Sequence, residues 1–349
     1  MTVFDFERFP LVLNLVLFAI SAMAIWLAGS RLSVYADAIS DRRNIGKAVM
    51  GFVFLAAATE LPEMVTTFTA AIAGNAALAL NNMFGGITMQ TAILAAADVV
   101  AVGAALTYYP RKPTPALEAA LIILLLTLLI GITSVGDIVI FWNIGAGSVG
   151  LALAYALSVY LLRNYDDNTD WIPVDLPDEQ EHDGGSSPAL SDLDLAQLVR
   201  RFAVASLVIL VFGVVLVHLT ETIAAQSGLG QSFLGVTLLA ATTSLPELST
   251  TIAAVRLGAY TMAISNIFGS NLIMLALLLP ADVLYRGGAI LNATDRTASF
   301  ALVSGIIVTT VYLIGLLIRR KRRLFGMGID SALVVCLYAG SLIVFYLLD

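Results

Sequence analysis

One 48-residue segment occurs twice in this chain, so any fold the chain adopts must build it twice. Residues 51–98 read GFVFLAAATELPEMVTTFTAAIAGNAALALNNMFGGITMQTAILAAAD, and residues 235–282 read GVTLLAATTSLPELSTTIAAVRLGAYTMAISNIFGSNLIMLALLLPAD. They align at a constant offset of 184 without a gap, and 20 of the 48 positions are identical. The matches include Pro62–Glu63 with Pro246–Glu247, Asn82 with Asn266 and Asp98 with Asp282, which shared apolar composition would not produce. A long repeat, once per half, is the construction of secondary transporters, whose sites lie where the repeats meet.

The apolar content says where the repeats sit. Hydrophobic residues make up 59% of the chain and charged ones 12%, against about 25% charged in soluble domains. Ten apolar stretches are each long enough to cross a hydrocarbon core as a helix, at about 10–29, 46–72, 77–108, 115–135, 137–162, 199–224, 231–256, 260–284, 297–318 and 329–348. Residues 1–10 lack the basic segment of a cleavable signal, so the first run is expected to be a retained span. Cys336 is the single cysteine and can form no internal disulfide.

Basic residues accumulate on the inner side of membranes. With both termini outside, the inner loops hold 15 of the 18 lysines and arginines, leaving Arg8, Arg286 and Arg296 outside. Five spans per half is an odd number, so the second half enters the membrane upside down. The expected fold is an all-α membrane protein of ten transmembrane helices arranged as two inverted five-helix repeats. Residues 1–162 form the first repeat unit and 199–349 the second. Between them, 163–198 carries ten acids and three prolines. It reads as a solvated cytoplasmic linker. A calcium-sensing role has no EF-hand spacing behind it, and His182 reads as solvated.

An ionisable side chain inside a span marks a functional site. Glu63 and Glu247 fall near mid-span, each directly after a proline. Pro62 and Pro246 donate no N–H and so break the helix, which is tolerated at membrane depth only beside protein or a water-filled cavity. Carboxylates, freed carbonyls and nearby hydroxyls make a hard oxygen shell of the kind Ca²⁺ selects, and two carboxylates balance one divalent ion. Thr59 and Thr243 lie four residues before their glutamates and are expected on the same face. Asn82, Gly86 and Gln90 form one stripe, and Asn266, Ser270 and Met274 the matching one. Gly74, Gly85, Gly258 and Gly269 suggest close helix packing.

TELPE at 59–63, TSLPE at 243–247, NMFGG at 82–86 and NIFGSN at 266–271 resemble the two α-repeats of the cation/calcium exchanger superfamily, most of all its sodium/calcium exchanger branch. The resemblance implies that Glu63 and Glu247 coordinate Ca²⁺ with the main-chain carbonyls of Thr59 and Thr243. It also implies sodium sites built from the same glutamates with Ala56, Thr59, Ala240, Thr243 and Ser270. The family pattern, roughly GTSLPE followed by GN-x-x-GSN-x-x-N, is broken in the first repeat. Gly86 and Ile87 stand where the second repeat has Ser270 and Asn271. Glu60 stands where it has Ser244, and the polar middle pair falls on Gln90 and Met274. One hydroxyl is lost and one carboxylate gained. Glu60 would suit proton coupling if it faces the ion path, or would point to an aqueous vestibule or pair with a basic residue.

The remaining polar features have plainer readings. Asp98 and Asp282 read as solvated helix ends, His218 as an interfacial or core histidine, and Arg319–Arg323 as the inner anchor of a span or an anionic-lipid contact. The expected function is secondary antiport, not enzymatic catalysis: Ca²⁺ exported against Na⁺ or H⁺ by alternating access. An exchanger of Mn²⁺, Mg²⁺ or a monovalent ion, or a non-cycling cation sensor or scaffold, are the alternatives. No cofactor is expected, and the partners are inorganic cations and the lipid bilayer, with no nucleic acid. The plasma (inner) membrane is the expected location.

Overall fold

The computed structural model describes residues 6–101, 103–168, 193–227 and 241–348. Helix α1 (Leu11–Arg43) starts after Pro10 and stops at Asn44, which turns left-handed at φ 52. The basic pair Arg42–Arg43 sits in its last turn, the favourable end of the helix dipole for a cation. Helix α2 (Lys47–Thr59) contains a π-helical stretch, Met50–Leu55, and meets α3 (Leu61–Ile72) at a bend of 51°. Next come α4 (Ala76–Ala97), opened by the Asn75 side chain accepting the Leu78 N–H at 3.0 Å, and α5 (Thr114–Val135). A short hairpin, β1 (Val139–Phe141) with β2 (Ile144–Gly145), leads into α6 (Ala146–Asn168).

The second half is described through α7 (Leu195–Ser227), α8 (Leu245–Arg256), α9 (Tyr260–Ala276), α10 (Leu278–Leu284) and α11 (Arg296–Ile318). A second hairpin, β3 (Arg323–Leu324) with β4 (Met327–Gly328), precedes α12 (Ile329–Leu348). Among the described residues, eight helical stretches are long and apolar enough to cross a membrane, or nine with the bent α2–α3 pair. Of the expected span 231–256, residues 231–240 lie outside the described residues and α8 is the described part. The linker and His182 lie largely outside them too. The span expected from 137 starts at Ala146 because the hairpin takes up the intervening residues.

Burial divides the helices into two kinds. α4 and the α9–α10 stretch are mostly buried, whereas α1 and α12 leave most of their apolar surface exposed, as lipid-facing helices do. The outer helices reach across the halves. Ser33 of α1 donates to the Thr250 carbonyl of α8 at 2.7 Å, and Gly213 of α7 lies so close to the Pro62 ring of α3 that a Cβ there would overlap it. Among the glycines expected to mediate packing, Gly269 does so, lying directly on the Phe52 backbone. Gly74 and Gly258 instead take positive φ (77 and 74) in the turns after α3 and α8, where only glycine is unstrained. Gly85 has no neighbour within 4 Å.

The paired aspartates correct the sequence reading. Asp98 and Asp282 are both fully buried rather than solvated. Asp98 accepts the N–H of Leu106 at 2.6 Å and, from the second hairpin, that of Gly328 at 2.6 Å. Asp282 accepts from Ile290 N–H at 2.7 Å, from Gly145 N–H of the first hairpin at 2.7 Å and from the Ser148 hydroxyl at the start of α6 at 2.6 Å. Each aspartate therefore holds the hairpin of the opposite half. The basic cluster joins one of these latches: Arg323 donates to the carbonyls of Ala101 (2.7 Å) and Asp98 (2.9 Å), and Arg319 to that of Pro110 at 2.6 Å. Replacing Asp282 with Ala strands two buried amides, each costing roughly 1–3 kcal/mol. Asp282→Ala is expected to lower the unfolding temperature in detergent clearly, and Asp282→Asn, which keeps one acceptor oxygen, to lower it less.

Candidate ion site

Each proline sits in the first turn of a new half-helix, Pro62 in α3 and Pro246 in α8, where its missing N–H leaves no gap. Glu60 and Ser244 are the residues at the two breaks. The glutamates that follow, Glu63 and Glu247, thus lie at the positive ends of two half-helices. They are 2% and 0% exposed, and none of their four carboxylate oxygens has a hydrogen-bond partner among the described residues. Unpartnered buried carboxylates are costly, and here they occur as a pair acting on one another.

The threonines are exchanged between the halves. The Glu63 carboxylate faces Thr243 and the Glu247 carboxylate faces Thr59, although neither pair closes to a full hydrogen bond. Each threonine, expected on the face of its own glutamate, is separated from it by the helix break and lies near the glutamate of the other half. Thr59 and Thr243 are buried, and the Thr59 hydroxyl donates to the Ala56 carbonyl at 3.2 Å, which also accepts the Glu60 N–H at 3.0 Å. Ser244 is buried beside Thr243. Ala240 lies outside the described residues.

Glu60 does not face a vestibule. It is fully buried, accepts the Gln90 amide at 2.6 Å through Oε1, and leaves Oε2 unpartnered. Its charge acts on both Glu63 and Glu247, and the buried hydroxyl of Ser270 lies within its reach without completing a hydrogen bond. On the matching side of the repeat, Met274 presses its terminal methyl against Gly86, into the space a side chain at 86 would need. The site is therefore lopsided. One quarter holds a carboxylate and an amide, and the quarter related to it by the repeat holds a thioether.

Asn82 and Asn266 anchor the α3–α4 and α8–α9 pairs. Asn82 donates to the Thr67 hydroxyl at 3.3 Å, and Asn266 donates to Thr250 at 3.1 Å and Thr251 at 3.5 Å. Asn266 is fully buried with its carbonyl oxygen unpartnered, whereas Asn82 is half-buried. These threonines escaped the sequence reading, although the Thr–Thr pair at 66–67 recurs at 250–251 within the repeat. Asn271, which donates to Thr91 at 3.3 Å, was missed as well, because Ile87 breaks its counterpart in the first repeat. Among the described residues no three His, Cys, Asp or Glu side chains stand at the separation of a closed metal cluster. Hydroxyl and carbonyl oxygens would have to complete a shell around the glutamate pair.

Broken half-helices around buried carboxylates define a helical membrane transporter. The model of the family described as "Sodium/calcium exchanger protein" matches residues 13–163 and 198–347, and the chain belongs to that family. It is a membrane cation antiporter and not an enzyme. A protein of Alkalimonas amylolytica named as the antiporter CaxA is 25% identical over 304 residues, covering 86% of this chain and 89% of its own. The inner membrane protein YrbG of Escherichia coli K12 is 24% identical over 276 residues, covering 78% and 80%. The fold matches that of the sodium-calcium exchanger NCX_Mj soaked with Na⁺ and Sr²⁺, with a TM-score of 0.69 at 17% identity over 96% of this chain and 99% of that one. The same protein without Na⁺ or Ca²⁺ gives a TM-score of 0.63 at 16% identity, over 97% and 100%.

The Glu60–Gln90 bond yields a direct test. Gln90→Leu removes the donor from a buried carboxylate and should cost about 2 kcal/mol, within the range for hydrogen bonds to charged groups. The double variant Glu60→Leu/Gln90→Leu should recover part of that loss in thermal unfolding, because no stranded acceptor is left.

Proposed function

We propose that this protein exports Ca²⁺ in exchange for Na⁺ or H⁺, with Glu63 and Glu247 as the shared ion site. The observation that carries the reading is the facing pair of buried glutamates whose four oxygens lack any partner among the described residues. Two such charges match one divalent cation, and the crossed threonines, together with Asn82, Asn266, Ser270 and Ser244, supply neutral oxygens around them. Ca²⁺ fits this mixed oxygen set, since it takes 6–8 oxygens in flexible geometry. Mn²⁺ and Mg²⁺ are the cargo's nearest competitors.

Ten spans in two inverted halves, units 1–162 and 199–349 around the linker 163–198, support alternating access. Each half then meets the ion site from the opposite side of the membrane, so inward-open and outward-open states are built from the same contacts. The 15-to-3 split of basic residues favours both termini outside and the linker in the cytoplasm, in a plasma (inner) membrane. Ala56 and Ala240 fit best as main-chain contributors. A non-cycling sensor is the weaker reading, because unpartnered buried carboxylates are expensive to keep without an ion to bind.

Replacing Glu63 or Glu247 with Gln keeps the shape and removes half of the charge that offsets the ion. Each variant is expected to abolish uptake of radiolabelled Ca²⁺ into proteoliposomes while still eluting as a folded protein. Robust uptake by either one overturns the site assignment.

Glu60 sets the coupling. Three carboxylates around one divalent ion leave one negative charge over, which H⁺ or Na⁺ neutralises. The loss of a hydroxyl at Gly86 and its replacement by the Met274 methyl argue against a full sodium set. Exchange is expected to respond to a pH gradient imposed at fixed Na⁺, and Glu60→Ser to weaken that response and favour Na⁺. Exchange that follows only the Na⁺ gradient, unchanged in Glu60→Ser, makes the protein a sodium exchanger with a reduced ligand set.

A further inference from the structure

A fourth glutamate is buried away from the ion site. Glu118 of α5 has no exposed surface, and neither of its oxygens has a hydrogen-bond partner among the described residues. The hydroxyl of Ser265 on α9 lies within its reach and is itself buried and unpartnered. No charged side chain occurs on α9 or on α11 beyond Arg296 at its start, although both helices pack against α5. From α6, the other helix packed there, Asp166 acts on Glu118.

Asp166 leads to the surface. Its side chain is 4% exposed and accepts the Thr114 hydroxyl at 2.8 Å, and Thr114 lies one turn before Glu118 on the same face of α5. The Lys112 ammonium, 46% exposed, donates to the Asp166 carbonyl at 2.6 Å and stands 3.5 Å from its carboxylate. Polar contacts therefore join exposed Lys112, Asp166 and Thr114, and Glu118 with Ser265 lies one helical turn beyond Thr114. A lone carboxylate without a counter-charge in so dry a place is strongly disfavoured as an anion. One carboxyl and one hydroxyl offer far fewer oxygens than a bound Ca²⁺ or Mg²⁺ requires. A single proton satisfies the group, because the acid form donates to the Ser265 oxygen.

We propose that Glu118 is a proton-binding site, separate from the Glu63–Glu247 ion site, that exchanges its proton with one membrane face through Asp166. The assignment does not depend on which ions the central site carries.

Infrared difference spectroscopy of the full chain in lipid, switched between H₂O and D₂O, reads this directly. The wild-type protein should show carbonyl absorption of protonated carboxylic acid, and Glu118→Gln should remove the component that Glu118 contributes. Glu118→Asp, the milder change should the amide fail to fold, should shift that band. Asp166→Asn should leave the band in place but slow its deuteration by about a hundredfold, within the range for positioned proton transfer. Thr114→Val, a smaller disturbance of the same contacts, should slow it in the same direction. A folded Glu118→Gln or Glu118→Asp protein with an unchanged acid band overturns the proposal. Wild-type deuteration rates in both Asp166→Asn and Thr114→Val also overturn it.

Discussion

The energetics of this protein turn on negative charge held in an apolar interior without positive partners. Glu63 and Glu247 can be placed there only because the prolines before them break two spans into half-helices. The break also brings each glutamate to the positive end of a helix and turns it toward the threonine of the other half. The close approaches elsewhere keep those broken ends in place: Gly213 against Pro62, Gly269 against Phe52, and the asparagines holding α4 and α9 to their neighbours. A pair of unpartnered buried carboxylates is high in free energy. A cation bound between them, as proposed, would relieve that cost and favour a rearrangement of the helices around it.

Symmetry and its loss do different work. The paired glutamates and threonines are repeated faithfully, and they face one another across the centre. Glu60 with Gln90, and Met274 against Gly86, are where the two copies part. Those exchanges are coupled, since the methyl that fills the space beside Gly86 is the repeat counterpart of the amide that holds Glu60.

Much of this was legible in the sequence, because membrane burial leaves few options and the repeat shows which polar residues matter twice. The spans, the helix breaks and the central glutamates all follow from apolar runs and from Pro–Glu recurring at one offset. The failures came from contacts that spacing along one helix cannot express. Spacing puts Thr59 with Glu63 and gives no sign that it also nears Glu247 across the centre. Asp98 and Asp282 looked like solvated ends because their partners are backbone amides from a distant hairpin, and amides leave no mark in a sequence. The first hairpin was hidden inside an expected span and the second between two spans, although Gly145–Ser148 and Gly328–Ser331 share a Gly-x-x-Ser spacing. Glu118 gave no repeat signal, since Leu302 stands at the matching position.

The crossed aspartates also bear on how the chain is made. Synthesis delivers Asp98 and the first hairpin well before Gly328 and Asp282 exist. Until the second half is inserted, the Asp98 carboxylate lacks one amide donor, and Gly145 and Ser148 lack their acceptor. Neither half is thus a finished folding unit, and the last helices inserted lock the first. A nascent or truncated chain carries unsatisfied polar groups at both hairpin ends, which membrane quality control can recognise, and the assembled protein is sealed by the same bonds once its final span is in place.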